Sequence, residues 1–144
     1  MTHQQMWQTF SRETGIEAPY EAWAFGCDTD ELARLVLEGR KTATAGLYFW
    51  YERECLDLPK LGSYSIVLDS KDNACCVIRN TKVSVIPFCE VGEDHAFREG
   101  EGDRSLAYWR EVHERFFSEE LESVGVTFHR NMDVVCEEFE KVFG

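Results

Sequence analysis

Gly39-Arg40-Lys41-Thr42-Ala43-Thr44 is the stretch on which the reading of this chain turns. It follows an amphipathic run, Glu31 to Glu38, in which Leu32, Leu35 and Val36 recur at helical spacing. That spacing predicts a helix over 30–38, with Gly39 at the glycine position just past its end. The chain thus leaves the helix at a fixed place and presents Lys41, Thr42 and Thr44 together. Two readings are open. In one, Arg40 and Lys41 complement the negative end of the helix dipole and the threonines begin a strand or cap another helix. In the other, a basic, hydroxyl-rich turn in an acidic protein is an active loop.

Upstream, Gln4 to Glu13 suits a short helix ended by Gly15, and Asp28-Thr29-Asp30 is a cluster of N-cap residues for the helix that follows. Between them Ala18 to Gly26 is aromatic and broken by Pro19 and Gly26, which predicts a covering loop or short strand. Trp23 and Phe25 there are either core or a stacking wall for a flat base.

Downstream, Ala45 to Leu56 reads as a helix carrying Leu47, Trp50, Tyr51 and Glu54. Tyr48 and Tyr51 offer hydroxyls to a substrate or belong to an aromatic core. Beyond the turn Leu58 to Gly62 the pattern becomes β: Tyr64 to Leu68, a loop at Asp69 to Asn73, then Ala74 to Ile78 and Thr81 to Ile86, stopped by Pro87-Phe88. The segment from Glu90 to Gly102 holds Glu90, Glu93, Asp94, Glu99 and Glu101, and reads as a solvated acidic face or as the place from which Glu99 meets Lys41. Asp103 is the expected N-cap of a helix over 104–117 with the stripe Leu106, Trp109, His113 and Phe116. His113 on that stripe is expected to be a satisfied, half-buried histidine. Glu119 to Glu122 reads as a polar connection, Val126 to Phe128 as a short strand, and Met132 to Phe143 as the strand that closes the sheet.

The 144 residues predict one domain, long enough to bury a core, and 44% hydrophobic with 13% aromatic content argues against disorder. No apolar run approaches the length of a membrane span, and the N-terminus has no charged region followed by an apolar block, so a cytoplasmic protein without membrane contact is expected. The six cysteines, Cys27, Cys55, Cys75, Cys76, Cys89 and Cys136, include no C-x-x-C pair and no zinc-ligand spacing with histidine. Free and mostly buried thiols are expected, with no metal and no cofactor. The 27 acidic against 15 basic residues give a net charge of −12, which weighs against duplex DNA and long nucleic acid, whose affinity comes from Lys and Arg contacts. A local basic pocket for one nucleoside, near Arg34, Arg40 and Lys41, is compatible with that balance. Nothing in the sequence fixes an oligomeric state.

The stretch 39–44 resembles the G-x-K-x-x-T signature of the ASCH domain family, small proteins with a PUA-like β-barrel. The resemblance extends through Pro59 to Tyr64 with Val67-Leu68-Asp69, through Val83 to Val91, and through His95 to Asp103 with Trp109, Arg110 and His113, covering about 20–142. It implies a mixed α/β (α+β) domain: a mainly antiparallel PUA-like β-barrel from 63–86 and 126–142, flanked by helices at 30–38 and 104–117, with a cleft between the lysine loop and the segment around Glu99. It also implies catalysis by Lys41, Thr44 and Glu99, as in the family members that hydrolyse the amide of N4-acetylcytidine, with Arg40, Thr42, Trp23, Tyr48 and Tyr51 as candidate substrate-binding residues. Gly46 stands where those members carry an arginine, so the substrate-anchoring contact differs. Other members similar through the same regions cut single-stranded RNA, where Lys41 would serve acid-base chemistry, and PUA-like barrels also bind RNA without cutting it. The partners implied are a modified cytidine nucleoside or single-stranded RNA.

Overall fold

The computed structural model describes residues 1–144. Five strands, β1 (Tyr20–Ala24), β2 (Ala43–Leu47), β3 (Tyr64–Leu68), β4 (Ala74–Pro87) and β5 (Asp133–Phe143), form one sheet in the order β1-β3-β4-β5-β2. All neighbours are antiparallel except β1 and β3. The sheet curls into a half-barrel, and with its helices makes the α+β architecture expected. Within the 14 residues of β4, Ala74 to Arg79 pair with β3 and Val77 to Pro87 pair with β5, and register shifts against β5 at Val77/Ile78 and Asn80/Lys82 mark bulges that bend the strand. The two predicted runs, 74–78 and 81–86, are therefore one bulged strand.

Helix α1 (His3–Thr14) ends, as its sequence predicts, at Gly15 in the left-handed region, and it opens with a capping box between Thr2 and Gln5. Met6 and Phe10 of α1 pack on Ile66, Leu68 and Val77 of the sheet. Fully burying a side chain such as Phe10 stabilises by roughly 1.5–3 kcal/mol. Helix α2 (Thr29–Leu37) lays Leu32, Ala33, Leu35 and Val36 on Phe25, Val67, Ile78 and Phe139. Its start differs from expectation: Asp28 occupies the N-cap in a left-handed conformation with no side-chain cap, and the Thr29 hydroxyl instead donates to the Phe25 carbonyl.

The predicted helix over 45–56 is shorter. β2 runs on to Leu47, because pairing with β5 claims Ala45 to Leu47, and α3 spans only Tyr48–Arg53. After a 3₁₀ turn at Phe88–Glu90, the acidic segment is not irregular but contains α4 (Glu93–Glu99), ended by Gly100. Helix α5 (Leu106–Glu122) is capped by Ser105, whose hydroxyl accepts from Tyr108 N–H, whereas Asp103 lies outside the helix and accepts from Ser105 N–H. It continues through the presumed polar connection at 119–122 because Phe117 and Leu121, not Phe116, extend the buried row begun by Trp109 and His113. The row packs on Phe88, Val134 and Cys136. Val126 to Phe128 forms no strand. The thiols are all free, but only Cys76 and Cys136 are buried, while Cys27, Cys55 and Cys89 are exposed, so the expectation of mostly buried cysteines fails. No helix is long and apolar enough to cross a membrane.

Candidate functional site

The lysine loop is held from both sides. Past α2, Gly39 turns into the left-handed region at φ 77°, and the N–H groups of Arg40 and Lys41 both return to the Leu35 carbonyl. Thr42 N–H donates to the Arg98 carbonyl and Phe139 N–H donates to the Thr42 carbonyl, tying the loop to α4 and β5. The Arg40 guanidinium reaches across to the carbonyls of Gly100 and Gly102, each at 2.8 Å. Gly100 has φ 73°, and a Cβ on it would lie 2.4 Å from the Arg40 carbonyl oxygen, so only glycine lets the two loops meet.

This clamp delivers Lys41 to Glu99. Both side chains are 1% exposed, and Lys41 Nζ lies 3.1 Å from Glu99 Oε1 and 3.1 Å from Glu101 Oε2. Nζ also sits 5.4 Å from the centre of the Phe25 ring. Glu99 Oε2 accepts from Trp109 Nε1 at 2.6 Å and from His95 Nε2 at 2.7 Å, and His113 Nε2 is 3.3 Å from Oε1. Burial alone would raise the Glu99 carboxyl; the Lys41 ammonium, then His113 and His95, overcome it and hold the group well below the usual carboxylate range. His113 stacks on Trp109 and places Nδ1 2.8 Å from the Trp109 carbonyl. Both its ring nitrogens face acceptors, which suits the imidazolium. Burial opposes that charge, but Glu99 and Glu101 prevail and raise the His113 pKa.

Ligand atoms of Glu99, Glu101 and His113 lie within 4.8 Å of one another, a spacing suited to a metal ion. The Lys41 ammonium already contacts both carboxylates and fills the position a cation would take.

The principal cleft lies beside this cluster rather than between the lysine loop and Glu99. It has a volume of about 910 Å³, within the range of small-molecule sites, and runs between β1, β2, α3 and the turn before β3. Of the residues expected at a site, Thr44, Trp23 and Tyr51 line it. Lys41 and Glu99 are sealed behind it, Phe25 being both a wall of the cleft and the ring under the ammonium. Arg40 and Thr42 are engaged with the 98–102 backbone, and Tyr48 is not among the lining residues. The Lys41 ammonium donates to Glu99 and Glu101, not to Thr44. Cys27, next to the lining residue Gly26, has its thiol raised by burial, with Asp28, Glu101 and Glu120 adding to the effect and Lys41 opposing it.

The cleft is acidic. Glu21, Asp57, Glu120 and Glu137 line it, with Lys60 as the one cation. Burial pushes the Tyr51 phenol up to about 12, Glu137 and Glu21 adding to the effect. Burial likewise raises Glu120, beside Trp50, whose indole N–H is buried without a well-formed hydrogen bond. Sequence reasoning missed these cleft carboxylates and the roles of His95, Glu101 and Trp109. The i, i+4 pairs His95/Glu99 and Trp109/His113 were a usable signal for the cluster, whereas the cleft walls come from strands that only the fold brings together.

A curled five-stranded sheet with a lysine and a glutamate buried at the junction of two clamped loops defines a small, single-sheet class of domain. The chain belongs to the ASCH domain family, whose sequence model matches residues 21–143. Members of that family are often RNA-related. The chain is similar to the ASCH domain from Lactobacillus crispatus JV V101, with 34% identity and a TM-score of 0.86, over 98% of this chain and 91% of that one. It is also similar to a protein from Enterococcus faecalis V583, with 38% identity and a TM-score of 0.88, over 97% of this chain and 87% of that one. Among curated proteins none matches it significantly.

Proposed function

We propose that the cleft takes the base of an N4-acylated cytidine-type nucleoside, free or at the end of a single strand, and that the protein hydrolyses its acyl amide. The observation that carries this reading is the placement of Thr44 in an aromatic-walled, acidic cleft of ligand size, one wall of which, Phe25, has the Lys41 ammonium 5.4 Å from its ring centre. Trp23, Tyr51 and Phe25 offer flat faces to a base. Four carboxylates against one lysine make the cleft a poor channel for a phosphate chain, which favours a neutral nucleoside over extended RNA.

Amide cleavage needs an attacking oxygen, stabilisation of the oxyanion and a proton for the departing nitrogen. Thr44 supplies a hydroxyl that attacks the acyl carbon or holds the water that does. The lysine, ion-paired with two carboxylates, is better suited to stabilise an oxyanion than to accept a proton. Glu99 fixes its position. Glu101, 17% exposed where Lys41 and Glu99 are 1%, is the partner able to swing aside and open the ammonium to the cleft end.

The test gives purified protein N4-acetylcytidine and, separately, a labelled single-stranded RNA. Acetate release is expected, and Thr44→Ala, Lys41→Ala and Glu99→Gln each lower the rate by about 10²-fold or more, because each removes a group that acts in the transition state. RNA cutting that survives Thr44→Ala would replace this reading with a ribonuclease. Binding of either probe without turnover would leave a binding module.

A further inference from the structure

Thr44 has a neighbour that the lysine loop does not supply. In the antiparallel ladder of β2 and β5, Thr44 is directly opposite Glu137, and both side chains line the cleft. Cross-strand partners place their Cβ atoms about 4.5–5.5 Å apart, so a hydroxyl and a carboxyl project side by side into the same space. On β4, the Asn80 side chain, itself 5% exposed, lies at Glu137 and donates to Ser63 Oγ at 3.2 Å. The titratable groups that share the cleft with Glu137 are Glu21 from β1, the Tyr51 phenol from α3, Glu120 from α5, and Asp57 and Lys60 on the turn, Lys60 being the one cation among them.

We propose that Glu137, opposite Thr44 in the cleft, grips the ring-nitrogen edge of the bound base as a carboxylic acid and acts as the general acid for the leaving base in the reaction proposed above, on which this role rests. A carboxylic acid presents one donor beside one acceptor, which matches the ring nitrogen and exocyclic N–H of an N4-acylcytosine. Burial pushes the Glu137 carboxyl up, the Asn80 amide partly offsets this, and Glu21 adds to it, so the acid form suits the site.

The step balances with one water. The attacking oxygen bonds to the acyl carbon, the C–N bond breaks, and its electron pair passes into the base as the ring nitrogen takes the Glu137 proton. The base leaves as its imino form and rearranges to the amine. The water consumed gives its hydroxyl to the acyl group and its remaining proton to Glu137, and nothing is oxidised or reduced.

The experiment compares wild-type protein with Glu137→Gln, and with Glu137→Asp in case the first variant folds poorly. Cytidine binding is followed by tryptophan fluorescence from about pH 5 to about pH 8, alongside hydrolysis of N4-acetylcytidine and of p-nitrophenyl acetate. Wild-type affinity should fall as pH rises through the raised Glu137 pKa, and the Gln variant should lose that dependence. The Gln variant should also lose about 10²-fold or more in kcat on the amide with KM little changed, yet keep the activated ester, whose leaving group needs no proton. The Asp variant should recover part of the amide rate. If the amide is not hydrolysed by the wild type, the functional reading fails and the binding arm alone decides whether Glu137 grips the base. No cytidine binding, a pH dependence unchanged in Glu137→Gln, or an undiminished kcat there would overturn the proposal.

Discussion

Replacing Lys41 with Met removes the charge that the centre is built around while keeping much of the side-chain volume. Both Lys41 and Glu99 are 1% exposed, so the variant leaves a carboxylate buried without its strongest partner. Removing one member of a buried pair costs about 3–5 kcal/mol. His95, His113 and Trp109 still donate to or pair with Glu99, which places the expected loss near the lower end, about 3 kcal/mol. For a chain of this length that corresponds to a fall in Tm of roughly 6–12 °C. The pH dependence gives the sharper test. In the wild type the Glu99 pKa is depressed in the folded state, so its stabilisation is present above the unfolded carboxylate pKa and is lost as pH falls through the lower folded value. Without Lys41 that pKa rises. The gap between wild type and variant should therefore be widest near neutral pH and should narrow as Glu99 takes up a proton in acid. Thermal unfolding by circular dichroism at several pH values measures both quantities. A fall in Tm below about 2 °C, or one independent of pH, would refute the claim that Lys41 compensates a buried charge.

Gly100→Ala should destabilise by about 1–3 kcal/mol in urea unfolding, because it forces a Cβ to within 2.4 Å of the Arg40 carbonyl at a φ of 73°. His113, whose pKa is raised, should contribute stability that is full below its unfolded pKa and lost as pH rises through the folded value; unfolding of wild type and His113→Gln across pH, with NMR titration of the wild-type ring, checks the sign. Cys55 and Cys89 should react rapidly with a thiol reagent and Cys27 more slowly, since burial raises its thiol, whereas Cys76 and Cys136 should need unfolding, and rapid labelling of all six would contradict the packing of β4 and β5.

How far the sequence could be read depended on whether the deciding interaction was local. The end of helix α1 was legible because Gly15 stands in its own sequence, and β3 because its apolar run, Tyr64 to Leu68, lies between two turns. The start of α3 was not, since Leu47-Tyr48-Phe49 suits either state and pairing of Ala45 and Gly46 with Cys136 and Val135 settled it. Helix α5 overran its predicted end because Phe117 and Leu121 had a partner surface at Val134 and Cys136 to cover, and that surface is remote in sequence. The charges divide in the same way. Lys41 and Glu99 were singled out from a short motif and found together, but Glu137 lay among Glu138 and Glu140 in the strand read as closing the sheet, with no motif to single it out.

The arrangement of the two acidic groups explains why a protein of net charge −12 places its one buried lysine where it does. Glu99 is ionised despite burial because four donors surround it, whereas Glu137, with only an amide and other acids nearby, is pushed toward the neutral form. The two carboxyls thus have environments that drive their protonation apart. An amide hydrolase of the kind proposed needs that division: a fixed charge that holds the ammonium in place and a proton held ready for the departing nitrogen. If the Glu137 site were instead ionised like Glu99, it would repel Glu21 and the bound base would meet two acceptors where its ring nitrogen needs a donor. The two limbs of the protein's pH profile should therefore belong to different residues, Glu99 governing folding at the lower pH and Glu137 governing occupancy of the cleft at the higher. Separate measurements of Tm and cytidine affinity across pH would show two displaced transitions, and a single shared transition would return both carboxyls to one cluster.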